Sequence, residues 1–70
     1  MNEYMVRVNN AVIQCKGPSE YSAMKDLDIF KEIGDLIDFL NPKGGTLNAV
    51  WIYQVELNGK KTIAYVTRTA

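Results

Sequence analysis

Seventy residues, no histidine, one cysteine and eight basic residues against eight acidic ones make a single small domain without the usual equipment of an enzyme. A lone cysteine excludes an internal disulfide, and the lack of any Cys/His set excludes a structural zinc. Zero net charge speaks against strong non-specific nucleic-acid binding, which calls for a basic domain.

At 47% hydrophobic the composition is that of a folded globule. A chain of this length buries roughly 60–65% of its unfolded surface, for a stability of roughly 3–5 kcal/mol. Self-association is then the remaining common remedy for a small core. Met1-Asn2-Glu3-Tyr4 has neither the basic nor the apolar region of a signal peptide. No apolar run approaches the ~20 residues that span a bilayer, so a cytoplasmic setting is expected.

Tyr4, Val6 and Val8 alternate with Met5 and Arg7, and the parity then switches to Ala11, Ile13 and Cys15. A two-residue turn at Asn9-Asn10 explains the switch, pairing Val8 with Ala11, Val6 with Ile13 and Tyr4 with Cys15 on one face. The pattern predicts a hairpin of Glu3–Val8 and Ala11–Lys16. Gly17-Pro18 punctuates, and Ser19 is a suitable helix N-cap.

Residues Glu20 to Leu40 favour helix, yet in one straight helix Tyr21 and Phe30 would fall on opposite sides at about 100° per residue. Ile29, Phe30, Ile33, Leu36, Ile37 and Leu40 lie within about 120° of arc, and Tyr21, Met24 and Leu27 form a separate stripe. A break near Leu27-Asp28, with Asp28 capping a second helix that Asn41-Pro42 ends, accommodates both. Lys43-Gly44-Gly45 then connects to Asn58-Gly59, the strongest turn signal, between two β-rich runs. That hairpin pairs Leu57 with Lys60, Val55 with Thr62, Tyr53 with Ala64 and Trp51 with Val66. The expected fold is α+β, in the order β-β-α(α)-β-β: a four-stranded antiparallel sheet of two hairpins with a bent or broken helix pair on one face.

Little of the chemistry-bearing vocabulary is placed for catalysis. Cys15 has no base to ionise it and falls on the inward face of its strand. Lys43-Gly44-Gly45-Thr46 has the ingredients of a phosphate loop but follows a helix and precedes a strand, which reads as a helix C-cap and turn. Carboxylates on a helix make a poor metal cage, since oxygen-only cages come from wrapping loops. No metal, cofactor or catalytic residue is therefore expected.

The charges are unevenly distributed. Glu20–Leu40 holds six acidic residues against two lysines, and the rest of the chain holds the reverse. Asp28, Glu32, Asp35 and Asp38 form an acidic helix edge suited to a basic protein partner. On the sheet face away from the helices, Met5, Val12, Val50, Ile52, Ile63 and Tyr65 make an apolar set where polar residues are the norm, which points to self-association as a homodimer or to docking. A nucleic-acid reader of this kind would use Arg7, Lys60, Lys61 and Arg68, with Tyr65 the aromatic free to stack.

The leading expectation is a non-enzymatic protein-binding module. No motif ties the chain to a family. Its style is that of small phage and mobile-element proteins that block host nucleic-acid-handling machinery, such as anti-defence, anti-CRISPR-like inhibitors. A small nucleic-acid-binding protein and a structural assembly subunit are the alternatives.

Overall fold

A computed structural model describes residues 1–41 and 43–70. Among them the order is β1 (Asn2–Val8), β2 (Ala11–Gly17), α1 (Glu20–Asp26), β3 (Glu32–Leu40), β4 (Val50–Leu57) and β5 (Lys60–Arg68). The strands form one antiparallel sheet ordered β2-β1-β5-β4-β3. The last strand is thus central, the first lies beside it, and α1 carries the chain from one edge of the sheet to the other.

This overturns the four-stranded sheet with a helix pair: among the described residues there are five strands and one short helix. The segment expected as the second helix is strand β3. Its pairing with β4 runs Ile33 to Val55, Leu36 to Tyr53 and Phe39 to Trp51, with register shifts on either side of Leu36. Each shift inserts one extra residue into β3. The residues that face inward therefore recur every third position, Ile33, Leu36 and Phe39, instead of every second. A doubly bulged strand in this way imitates the i, i+3 spacing of a helix. Gly34 sits at the first irregularity, where a Cβ would lie 2.9 Å from the Gln54 carbonyl oxygen.

Both hairpins adopt the registers expected from alternation. Tyr4, Val6 and Val8 pair with Cys15, Ile13 and Ala11, and β4 pairs with β5 from Leu57–Lys60 to Val50–Thr67. Asn9 and Asn58 take the left-handed conformation their turns require, at φ 52° and 53°. The β1–β5 pairing, Val6 against Val66 and Val8 against Ala64, joins the two hairpins.

Ser19 caps α1, its hydroxyl accepting from the Ser22 amide at 3.2 Å. The helix closes at Leu27, and Asp28 follows in the left-handed region, φ 55°. Asp28 thus ends one helix and does not cap a second. Pro42, expected to end that second helix with Asn41, lies outside the described residues. The helix presses closely on the sheet: a Cβ on Gly17 would approach the Ala23 backbone nitrogen to 2.8 Å. Ala23 and Met24 are buried against Tyr4, Val6, Val8, Trp51, Tyr53, Val55, Ala64 and Val66. Trp51 is the centre of an aromatic group, with Tyr4 edge-on at 5.9 Å and Phe39 tilted at 5.2 Å.

Candidate functional site

The helix packs chiefly on β2, β1 and β5, and Trp51, Tyr53 and Val55 of β4 are buried in the same core, which leaves the β3 edge and the whole outer face without a second layer. On β3, the side chains of Leu36, Ile37, Phe39 and Leu40 are 47, 54, 40 and 47% exposed. The helix reading places Leu36, Ile37 and Leu40 in a buried stripe, and the structure corrects it: on a bulged strand at the sheet edge, away from α1, nothing covers them.

β3 is an edge strand, and among the described residues no strand pairs with its far side. Its backbone polarity follows from alternation. Leu57 and Lys60 flank a two-residue turn and form a narrow hydrogen-bonded pair. Val50, Ile52, Gln54 and Glu56 then direct their backbone groups at β3. Phe39, opposite Trp51, turns its own N–H to the open side, where the Asp38 Oδ1 accepts it at 2.8 Å. Lys31 extends the pairing, its amide donating to the Glu56 carbonyl at 2.9 Å.

Three of the four carboxylates expected on a helix edge lie on this strand. Glu32 pairs directly with Glu56, an unfavourable like-charge neighbour. Asp35 borders a shallow hollow shared with Glu32, Gln54, Glu56 and Lys61, and Asp38 stands beside Ile52. The Lys31 ammonium meets Glu56 at 3.8 Å, in an exposed pair of small energetic weight. Asp28 precedes the strand, at a cleft of about 380 Å³ between α1 and the start of β3 that Tyr21, Met24, Phe30 and Glu32 also line. The acidic edge is therefore a sheet edge: apolar Ile33, Leu36 and Phe39 on its inner side, Glu32, Asp35 and Asp38 on its outer side.

No known protein family, curated protein or solved structure matches the chain.

The outer face gathers all six residues expected there. Cross-strand pairing lays out one row of Val12, Arg7, Tyr65, Ile52 and Asp38 and a second of Gln14, Met5, Thr67, Val50 and Leu40, with Ile63 beside Gln54. Met5, Val50, Ile52 and Ile63 are half-buried by their neighbours, and Val12 and Tyr65 are exposed. Polar side chains interleave with the apolar ones, and the Arg7 guanidinium lies 5.3 Å from the centre of the Tyr65 ring.

The four basic residues do not converge. Lys60 and Lys61 follow the β4–β5 turn, and Arg68 sits at the other end of β5, about 25 Å away at the rise of a strand. The Arg68 side chain donates to the Thr46 hydroxyl and, at 3.1 Å, to the Ala70 carbonyl. Arg7 is engaged with Tyr65. The Lys43–Thr46 segment is an exposed turn after a strand, with Gly44 and Gly45 at φ 71° and 66°, and so is not a helix C-cap.

Cys15 is half-buried, and burial, followed by the nearby Asp26 charge, pushes its thiol above the usual range. That disfavours the nucleophilic thiolate at neutral pH. Burial, followed by the hydrogen bond to Glu20, likewise raises the Tyr53 phenol. Among the described residues no group of His, Cys, Asp or Glu side chains is placed to hold a metal ion. No helix there is long and apolar enough to cross a membrane. The signal for β3 in the sequence is weak: Ile33, Ile37 and Phe39 favour a strand, whereas Glu32, Gly34, Asp35 and Asp38 do not and the apolar spacing is helical.

Proposed function

We propose that this chain is a non-enzymatic protein-binding module that engages a basic partner through β3. The observation that carries the reading is the open strand edge, which joins four exposed large apolar side chains to three carboxylates. Unpaired edges recruit other chains unless they are blunted, and β3 keeps its apolar side chains exposed beside bulges and carboxylates that restrict which chains can add to it. The acidic charge selects among partners more than it adds affinity. An inhibitor or regulator of nucleic-acid-handling machinery, as made by phages and mobile elements, fits the small size and the charge, since such machinery offers basic surfaces.

The test is retention of a co-eluting partner by the wild-type chain and by a variant carrying Glu32→Lys, Asp35→Lys and Asp38→Lys, with circular dichroism confirming that the variant folds. Loss of the partner from the folded variant is expected. Equal retention of the same partner by both proteins overturns the reading.

Val12 and Tyr65, exposed on the uncovered outer face with half-buried Ile52 beside Tyr65, favour a second contact, self-association through these residues as a homodimer or a building block. Sedimentation decides it: association that Ile52→Glu abolishes supports this contact, and a monomer at all concentrations removes it. Binding of labelled oligonucleotides at low salt, lost as salt rises, is the outcome that would favour nucleic acid instead.

A further inference from the structure

Resting on the reading of this chain as a protein-binding module, we propose that the open edge of β3 takes an extended partner segment of alternating basic and apolar residues as a sixth strand, with Asp38 as the selecting residue.

Side chains of a strand added to β3 alternate between the two faces of the sheet. On the inner side they meet Ile33, Leu36 and Phe39, beside Trp51. On the outer side they meet Glu32, Asp35 and Asp38, with Glu56 behind. An apolar side chain is complementary to the first row and a cation to the second. A second copy of β3 would bring three carboxylates against three, so the charge pattern argues for a different chain with basic side chains.

Asp38 gives the selection a mechanism. Its carboxylate holds the Phe39 N–H, a donor that an incoming strand must reach. An incoming lysine or arginine near Asp38 draws the carboxylate into an ion pair and releases that N–H to the partner's carbonyl. A neutral or acidic strand offers no such exchange and leaves the donor occupied. The electrostatic cap thus excludes the wrong strands and yields to the right ones.

The probe is a synthetic peptide of about eight residues alternating lysine and valine, the length of an ordinary strand, titrated into the full chain while the backbone amide chemical shifts are followed. Three companions separate the contributions: a glutamate/valine peptide, a lysine/serine peptide, and a lysine/valine peptide N-methylated at alternate residues on its pairing edge. The lysine/valine peptide is expected to shift the β3 amides, Phe39 foremost, and to bind at least about tenfold more tightly than each companion, by 1.4 kcal/mol or more. Equal binding of the N-methylated peptide means charge attraction without strand addition and overturns the proposal. So does the absence of any shift on β3, or shifts of β3 amides on simple dilution of the protein, which would place a second copy at the edge. If the peptides fail while Glu32→Lys, Asp35→Lys, Asp38→Lys still releases the natural partner, strand addition falls and the module reading stands. If that variant also retains the partner, both fall.

Discussion

The Tyr53 hydroxyl donates to the Glu20 carboxylate at 2.5 Å, tying the first turn of α1 to β4 across the inner face. The helix packs chiefly on β2, β1 and β5, so this bond, with the Tyr21 ring 6.4 Å from that of Tyr53, fixes where its N-terminal end lies. Tyr53→Phe should cost about 1.5–2 kcal/mol, the low end of the range for a hydrogen bond to a charged group because water partly reaches this one. Its pH dependence has a definite sign. The phenol is raised above an unfolded value near 10, so the native state keeps a proton that the unfolded chain gives up. This contribution is complete below about pH 10 and is lost as pH climbs through the folded value. Thermal melts across the alkaline range should show the wild-type chain losing stability more steeply than Tyr53→Phe, and parallel curves would remove the assignment.

Gly34 is the position where β3 departs from regular pairing, and the reason is steric. A methyl group there would lie 2.9 Å from the Gln54 carbonyl oxygen, a backbone atom that moves only if β4 moves. Gly34→Ala should therefore cost about 1–3 kcal/mol, the range for forcing an extra carbon into a packed site, and Gly34→Val more. Urea titration would read this as a lower midpoint at unchanged slope. A stability equal to wild type would mean that the bulge relaxes freely.

Much of the fold was legible because two devices are local. The parity switch about Asn9-Asn10 and the Asn58-Gly59 turn set both hairpin registers, and with them which residues share a face. The Ser19 cap and the break at Leu27-Asp28 were also readable, because capping is a property of neighbouring residues. Two features were not local. The bulges of β3 gave Ile33, Leu36 and Phe39 a spacing of three, and only the pairing partner distinguishes that from a helix. The β1–β5 contact joins the two ends of the chain and leaves no trace in either segment alone. The outer face was therefore visible in the sequence, and the open edge of β3, which decides the proposed function, was not.

Met24 is fully buried under α1, the largest such side chain among the described residues. Truncating it leaves a cavity that the sheet behind it cannot close. Met24→Ala should cost about 2–5 kcal/mol, comparable with the roughly 3–5 kcal/mol expected of a domain this size. The variant is expected to be largely unfolded at 37 °C by circular dichroism, a working temperature of the order at which marginal domains fail. Met24→Leu, which nearly conserves volume, should lose less than about 1.5 kcal/mol. Similar losses in the two variants would show that the helix contributes through something other than filling this space.

Asp38 both carries charge and occupies the Phe39 amide, and two substitutions separate these roles. Asp38→Asn removes the charge and keeps an oxygen at the same position, so the amide stays capped. Asp38→Ala removes both and leaves an unpaired donor on an apolar edge flanked by Leu36, Ile37 and Leu40. Because exposed edges recruit one another once their guards are gone, Asp38→Ala should associate at concentrations where the wild-type chain does not. Asp38→Asn should fall between them. Light scattering against concentration gives the ranking, and adding salt discriminates further: screening acts on the charge and spares the hydrogen bond, so the wild-type chain should approach Asp38→Asn at high salt without reaching Asp38→Ala. If all three scatter alike, the carboxylate does not guard the edge.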